Sequence, residues 1–259
     1  MTPLHEPELV APGEPVPAPQ PALVAALDGG AQLVTNPRAR RAHRLDIVAK
    51  RALDIVLALL LLVMLVPLVA LLAIVIQLDS RGPTFFRCER VGYRGRRLMM
   101  LKFRKMRDGA AGWPLTLEND PRFTRIGASL SRLKLDEIPQ LWHVLRGEMS
   151  LVGPRPESSR FVDCYPHEYE RILSTRPGIV GLSQLAFVDE SRILDERDPV
   201  RHYIEEILPH KVELDLLYVE RHSVWFDLRI LLWSTVAVLL RRPVLVDPAT
   251  GRVRWGGRP

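Results

Sequence analysis

Two adjacent acidic residues, Asp136 and Glu137, stand where a helix is expected to begin, with basic residues on either side. Pro139 follows them, and proline is tolerated in the first turn of a helix but not in its interior. A helix N-terminus stabilises carboxylates and also attracts phosphate. A carboxylate that faces cations can serve as a nucleophile or as a Mg²⁺ ligand. The pair alone has a simpler structural explanation, because Asp and Glu are common at helix caps and in first turns.

The basic residues around the pair are of the kinds that bind phosphate. Arginine holds phosphate oxygens through two parallel N–H bonds. Prolines on both sides restrict the backbone of Arg155, and Arg176 opens a similar Arg-Pro-Gly turn. For any one basic residue the ordinary alternative is a solvated surface position. The candidate phosphate-binding residues are Lys102, Arg104, Arg132, Arg155 and Arg176.

An uncharged apolar run over 55–76 is long enough to cross a bilayer as a helix. A buried helix of a soluble protein is the alternative. Pro67 lies near the middle of the run and predicts a kink. Basic residues flank both ends, and such flanks favour the cytoplasmic side. We therefore expect a re-entrant membrane helix over 42–79 that breaks at Pro67, enters the membrane and returns to the same side.

The remaining chain divides into a catalytic domain and two tails. Residues 1–41 are rich in proline without apolar periodicity, which predicts a disordered tail. Residues 80–242 are predicted to form a cytosolic catalytic domain, and 243–259 a C-terminal tail. Segments 84–91 and 97–106 flank a glycine-bearing turn and predict a β-hairpin. Predicted helices cover 123–133, 136–146, 158–174, 199–219 and 225–241. The fold class is therefore α+β and mostly helical.

The last predicted helix, 225–241, has two interpretations. Its aromatic residues and flanking arginines suit an amphipathic helix at the membrane interface, and an ordinary core helix is the alternative. The first apolar run begins too deep in the chain to be a secretory signal peptide. Cys88 and Cys164 match no disulfide framework or metal spacing, which suits a reducing cytosol.

The net charge of +6 favours anionic partners among nucleic acids, acidic lipids and phosphorylated substrates. Nucleic-acid binding would need a basic groove with interleaved aromatic residues or a known module. The basic residues here are scattered among proline-flanked turns beside a membrane helix. We therefore expect membrane lipid and phosphorylated substrates as partners, and no nucleic acid.

Seven ordered motifs between about residues 48 and 240 resemble the bacterial sugar transferase family, in its small monotopic form. They are Lys50-Arg51-Ala52-Leu53-Asp54, Gly82-Pro83-Thr84-Phe85-Phe86-Arg87, Lys102-Phe103-Arg104-Lys105-Met106, Asp120-Pro121-Arg122-Phe123-Thr124-Arg125-Ile126-Gly127, Leu135-Asp136-Glu137-Ile138-Pro139-Gln140-Leu141, Met149-Ser150-Leu151-Val152-Gly153-Pro154-Arg155-Pro156-Glu157 and Arg176-Pro177-Gly178-Ile179-Val180-Gly181-Leu182. A weaker match continues through Lys211, Asp215, Tyr218 and Asp227.

The resemblance implies a polyprenyl-phosphate phosphoglycosyl transferase. Such an enzyme moves a phosphosugar from a UDP-sugar to undecaprenyl phosphate, releases UMP and initiates synthesis of exopolysaccharide, lipopolysaccharide or another surface glycan. Asp136 would be the nucleophile that carries the phosphosugar, and Glu137 would be linked to Mg²⁺. The resemblance also implies a monotopic protein on the cytosolic face of the bacterial inner membrane, and it allows a homo-oligomer. A catalytically inactive scaffold for glycan assembly is the alternative.

Four residues depart from the pattern of the family. Val66 stands where serine often precedes the helix-breaking proline, and His143 stands where asparagine is common. Glu148 replaces a usual aspartate, and Ser183 stands where the family often has tryptophan. None of them touches the acidic pair, so we expect the chemistry to be retained while the choice of sugar can differ.

Overall fold

The computed structural model describes residues 37–240, 244–247 and 250–256, with side chains from residue 46 onwards. Helices dominate this part of the chain, and its strands form three two-stranded sheets. In chain order the elements are α1 (Pro37–Asp79), β1 (Phe85–Val91), β2 (Arg97–Phe103), α2 (Gly127–Arg132), a 3₁₀ helix (Leu135–Gln140), α3 (Leu141–Arg146), β3 (Ser150–Val152), α4 (Ser159–Val162), α5 (Pro166–Ile172), β4 (Gly178–Val180), α6 (Leu182–Ala186), α7 (Glu190–Ile193), α8 (Pro199–His202), a π-helix (Tyr203–Ile207), α9 (Leu208–Arg221), α10 (Val224–Leu240), β5 (Val244–Val246) and β6 (Val253–Trp255).

The hairpin and most of the predicted helices are confirmed, with ends shifted by a few residues. Strands β1 and β2 pair antiparallel, from Phe85 opposite Phe103 to Val91 opposite Arg97. The helix predicted over 158–174 is divided into α4 and α5, because Pro166 starts a new helix. The predicted disordered tail covers residues 1–41. Residues 1–36 lie outside the described part of the chain, and residues 37–41 belong to α1, which begins at Pro37.

Strands β3 and β4 form a parallel pair that the sequence did not predict. Ser150 lies opposite Gly178 and Val152 opposite Val180. The two backbones approach closely here, since a Cβ on Gly178 would lie 2.1 Å from the Gly153 nitrogen. Only glycine fits such an approach. The Gly-Pro-Arg-Pro and Arg-Pro-Gly motifs are therefore two halves of one packed structure.

Helix α1 is long, apolar and continuous. Over Asp46–Asp79 it is the one helix among the described residues that is long and apolar enough to cross a membrane. Helical structure runs through Pro67 without interruption, because a single proline removes one hydrogen bond and need not end the helix. Many apolar side chains on its outer face are exposed, including Val56, Val63 and Leu71. Such a large exposed apolar surface indicates membrane association.

Both ends of the apolar segment of α1 pack on the part of the chain that follows it. Ala58 is fully buried in the main core, which it shares with Val144 and Leu151. Ile76 is 1 % exposed and belongs to a second cluster with Phe103. The two clusters adjoin, since Ile138 packs against both, and α1 therefore lies along one surface of the domain.

Polar residues before the apolar run anchor α1. Lys50 Nζ donates hydrogen bonds to Asp227 Oδ2 at 2.5 Å and to the carbonyl of Val152 at 3.0 Å. Asp54 accepts from the Ser150 hydroxyl at 2.8 Å and from the Leu151 N–H at 3.1 Å. The Lys-Arg-Ala-Leu-Asp motif thus joins the membrane helix to β3 and α10.

The region predicted as a C-terminal tail carries a small antiparallel hairpin, β5–β6, which begins directly after the undescribed residues 241–243. Val244 is 2 % exposed and packs with Leu185 and Ala237. This part of the chain therefore covers one end of α6 and α10.

Candidate active site

The acidic pair lies in the first turn of the 3₁₀ helix, as predicted, and both side chains are buried. Asp136 is 1 % and Glu137 9 % exposed. Lys134 precedes the helix in the left-handed conformation with φ of 56°, which is uncommon for a residue with a side chain. Pro139 lies inside this helix, and α3 continues from Leu141. The chain therefore turns sharply into the pair and then holds it on a rigid helical segment.

Each carboxylate has its own cationic partner. Lys105 Nζ lies 3.2 Å from Asp136 Oδ2 and also donates to the Ser131 hydroxyl at 3.0 Å. Lys102 Nζ donates to Glu137 Oε1 at 3.1 Å, and an Nη of Arg155 reaches the same oxygen at 3.4 Å. The structure therefore brings two of the predicted cations, Lys102 and Arg155, to the acidic pair.

The cations decide the ionisation of the Glu137 carboxyl. Burial by itself would raise its pKa, but Lys102, Arg155 and Lys134 outweigh that effect and hold the pKa well below its usual range. Burial lowers the pKa of the Lys105 ammonium, an effect that the Asp136 carboxylate partly offsets. Glu137 is therefore ionised at neutral pH and available to a cation or to a polar substrate group.

Arg104 was predicted to bind phosphate, and the structure places it away from the pair. Its guanidinium donates to the carbonyls of Pro83 at 2.6 Å and Ser80 at 2.7 Å, and to the Ser80 hydroxyl at 2.7 Å. These groups follow the end of α1, where carbonyls lack helical partners. Side chains alternate between the two faces of β2 only as far as Phe103, where the strand ends. Lys105, and not Arg104, therefore joins Lys102 at the acidic pair. Arg104 therefore fastens α1 to the hairpin.

The other two predicted cations, Arg132 and Arg176, make no ion pair with Asp136 or Glu137. Arg176 Nε donates to the carbonyl of Gly147 at 2.9 Å, and its guanidinium stacks 5.1 Å from the centre of the Tyr93 ring. Arg132 is exposed at the end of α2, with no ion pair to any side chain in the described part of the chain. Contact of Arg132 with a substrate stays a prediction.

Sequence reasoning missed Lys105 and Lys134. Lys105 stood in a quoted motif, and its role depends on where β2 ends, which local propensity fixes only to within a few residues. Lys134 lies next to the acidic pair, and its unusual backbone conformation turns it toward Glu137. A search for every lysine within two turns of the pair would have included Lys134.

Two residues that depart from the family pattern, His143 and Glu148, contact each other. His143 Nδ1 lies 2.6 Å from Glu148 Oε2, and the N–H of Leu101 donates to His143 Nε2 at 3.1 Å. Because Nε2 accepts a hydrogen bond, the Nδ1 nitrogen carries the proton and donates a hydrogen bond to Glu148. Glu148 thus holds the imidazole of His143, and His143 in turn connects α3 to β2 through the Leu101 N–H.

A buried polar network lies behind Arg155. Lys211 Nζ donates to Glu190 at 2.7 Å and to the Tyr203 hydroxyl at 2.9 Å, and that hydroxyl donates to Glu157 at 2.9 Å. Burial lowers the pKa of the Arg155 guanidinium. The negative charges of Glu137, Glu157 and Glu190 outweigh this effect, so the pKa is raised. The network thus supports a permanently charged Arg155.

The fourth departure, Ser183, joins an aspartate beside this network. The Ser183 hydroxyl donates to Asp215 Oδ1 at 2.7 Å, and both residues are buried. Burial raises the pKa of Asp215 to about 7, although Ser183 and Lys211 act in the opposite direction. The folded protein therefore binds a proton at Asp215 over a pH range in which the unfolded chain has released it.

Asp215 should make the protein less stable as pH rises from about 4 to 7. Its pKa is about 7 when folded, against an ordinary 3.8, so the folded state binds more protons across that window. The free energy of unfolding should fall by up to about 4 kcal/mol across that pH window and level off above pH 7.

Urea unfolding of wild type and Asp215→Asn at several pH values tests this prediction, because the free energy of unfolding of the variant should depend less on pH. Asp163→Asn, at an exposed position, is the control. Parallel profiles for wild type and Asp215→Asn would contradict it.

A cavity of about 360 Å³ borders Glu137 of the acidic pair. Lys134, Glu137 and Arg155 line one end of it, and Leu231 and Val238 of α10 line the other. The site thus combines buried carboxylates, paired cations and an adjoining open space beside a membrane-associated helix.

Comparison with known proteins places this arrangement in a family. The family model described as bacterial sugar transferase matches residues 45–242, which include most of α1, the acidic pair and α10. The chain belongs to the bacterial sugar transferase family.

Its relatives carry several names. A UDP-glucose:undecaprenyl-phosphate glucose-1-phosphate transferase of Xanthomonas campestris pv. campestris is 36 % identical over 204 residues, which are 74 % of this chain and 39 % of that protein. A UDP-N-acetylgalactosamine-undecaprenyl-phosphate N-acetylgalactosaminephosphotransferase of Aeromonas hydrophila is 34 % identical over 203 residues, 74 % of this chain and 43 % of that protein. The exopolysaccharide production protein PSS of Rhizobium leguminosarum bv. phaseoli is 36 % identical over 207 residues, 76 % of this chain and 98 % of that protein. The match therefore spans about two fifths of the first two relatives and nearly all of the third.

Proposed function

We propose that the protein transfers a phosphosugar from a UDP-sugar to undecaprenyl phosphate, giving a sugar–diphosphate–lipid and UMP, and thereby initiates a bacterial surface glycan. The observation that carries the proposal is the pair of buried carboxylates, each held by its own cation, beside an apolar helix with an exposed outer face. The names of the relatives supply the donor and acceptor classes. They differ in the sugar, so the sugar used here is left open.

The first step forms a covalent intermediate on Asp136. A carboxylate oxygen attacks the phosphorus that bears the sugar, and the bond from that phosphorus to the oxygen bridging the two phosphates breaks. The electron pair leaves with UMP. Lys105 orients the carboxylate through its 3.2 Å contact, and Lys102 and Arg155 supply positive charge for the donor diphosphate.

The second step returns the enzyme to its starting state. A phosphate oxygen of undecaprenyl phosphate attacks the same phosphorus, the bond to Asp136 breaks, and the carboxylate is regenerated. The two-step course lets the soluble donor and the lipid acceptor use one site in turn. This two-step course requires only one nucleophile on the protein. Asp136 fits that role, since it is 1 % exposed and paired with Lys105.

Magnesium is the metal that the family implies. No group of three or more His, Cys, Asp or Glu side chains within the described residues could hold a metal ion. Magnesium usually binds through one or two carboxylates together with substrate phosphates, and the ionised Glu137 carboxylate fits that mode. Bound there, the ion would neutralise charge on the donor diphosphate.

We further propose that α1 is re-entrant, so that the protein is monotopic on the cytosolic face of the inner membrane. Ala58 and Ile76 lie about 27 Å apart along a straight helix, close to the ~30 Å of a bilayer core. Both pack on the same catalytic domain. A membrane-crossing helix would carry one of these contacts to the opposite side, so the contacts support a return to the same side.

Release of UMP tests the function. Purified full-length protein in detergent micelles, given undecaprenyl phosphate and a panel of UDP-sugars, should release UMP from at least one donor, and only with a divalent ion present. Release that persists through chelation would reject the metal role. No UMP from any donor would favour the inactive scaffold.

A further inference from the structure

The cavity beside the acidic pair has two chemically different ends. Its volume of about 360 Å³ lies within the range of ~300–1,000 Å³ for small-molecule sites. Lys134, Glu137 and Arg155 line one end of it, and Glu137 directly follows the candidate nucleophile Asp136 in the chain. Two of these three residues are cations, so this end suits an anionic group.

The rest of the wall is mainly aliphatic. Strand β4 contributes Ile179, helix α6 contributes Leu185, and helix α10 contributes Leu231 and Val238. Ala237, at 2 % exposed, closes the wall between them. Such a surface binds hydrocarbon and offers little to a sugar or a nucleoside.

Three uncharged polar side chains also lie in the wall. Gln184 Nε2 and Ser234 Oγ are buried, each with less than 1 Å² accessible to solvent and without a hydrogen-bond partner among the described residues. The Thr235 hydroxyl donates to the Leu231 carbonyl at 2.8 Å within α10. The main groups that the cavity offers to a ligand are therefore the charged end and the aliphatic wall.

The aliphatic end continues onto the outer face of α10. Leu239 lines the cavity and is 75 % exposed, and the same helix exposes Trp225 and Leu232 at 71 % and 64 %. An exposed apolar face of this kind suits contact with the membrane interface. A ligand with an anionic head and a long apolar chain would fit from the acidic pair outward to that face.

We propose that this cavity binds the isoprenoid units next to the phosphate of the lipid acceptor, with the phosphate at the Lys134 and Arg155 end. The proposal rests on the proposed function and assigns its acceptor to one place, between β4, α6 and α10. Donor binding and formation of the covalent intermediate do not require the aliphatic end. The two half-reactions should therefore respond differently when that end is filled.

Val238→Trp fills the cavity, and Ile193→Trp is the matched control, because it places the same side chain at an exposed position of α7 that does not line the cavity. Intact mass after mixing with UDP-sugar alone measures the first half-reaction. Addition of undecaprenyl phosphate to the isolated intermediate measures the second. For Val238→Trp we expect the first within about twofold of wild type and the second slowed about tenfold or more, the size expected for steric mismatch in an apolar pocket. Ile193→Trp should resemble wild type in both half-reactions.

Two results would overturn this assignment of the acceptor. If Val238→Trp slows formation of the intermediate and leaves its discharge unchanged, the cavity binds the donor. If neither half-reaction changes, the cavity binds no substrate. A normal first half-reaction also shows that the variant is folded.

Crosslinking separates this proposal from the proposed function, because it needs no turnover. A polyprenyl phosphate carrying a diazirine in its first isoprene unit, photolysed with the wild-type protein, should label peptides from α10 or β4. Labelling should fall when unmodified undecaprenyl phosphate competes. Labelling confined to α1 would overturn the cavity assignment even if transfer activity is present.

Discussion

Asp136→Asn should abolish turnover, with a loss of about a thousandfold or more, while the protein stays folded and membrane-bound. Asparagine keeps the size of the side chain but is a far weaker nucleophile. In the folded state it leaves the Lys105 ammonium without its 3.2 Å carboxylate partner, which should cost about 1–3 kcal/mol of stability and not the fold. UMP release from UDP-sugar with undecaprenyl phosphate is the measurement.

The covalent intermediate provides a second readout of the same variant. Intact-mass analysis after incubation with donor alone should show a phosphosugar adduct on wild type and on Asp163→Asn, where the same chemical change falls on an exposed side chain. Asp136→Asn should show none. Full UMP release by this variant would refute the assignment of the nucleophile, whatever the role of Glu137.

Labelling of single cysteines should place both ends of α1 on the cytosolic side. Ala49 and Arg81 flank the apolar segment and are exposed, so a cysteine at either position is accessible to reagent. In a background lacking Cys88 and Cys164, both sites should resist a membrane-impermeant thiol reagent in intact cells and react after lysis. The physical reason is that Ala58 and Ile76 pack on one domain, which cannot lie on both sides of a bilayer.

The opposite outcome is equally clear. Labelling of the Ala49 site but not the Arg81 site in intact cells would mean that α1 crosses the membrane. The helix is long enough to do so, and its helical structure is continuous through Pro67. A cysteine at exposed Asp163, in the part of the chain proposed to be cytosolic, is the reference for that side.

Local patterns in the sequence determined several features correctly. The apolar run gives one long helix, the glycine-bearing turn gives the β1–β2 hairpin, and Pro139 places the acidic pair in a first helical turn. These features depend on residues within a few positions of one another, where backbone geometry and side-chain periodicity act directly. The chemical types at the site, carboxylates with lysine and arginine, were likewise evident from the sequence.

Only the tertiary structure decided which cations reach the carboxylates. Arg155 meets Glu137 because the chain returns through the β3–β4 pair, whereas Arg176 of the similar turn faces Gly147. Arg104 and Lys105 are neighbours, and the end of β2 at Phe103 sends the first to the end of α1 and the second to Asp136. Contacts between distant segments depend on the route of the whole chain, which local propensity does not specify. The cavity beside α10 has the same origin, because its wall comes from elements that meet only in the fold.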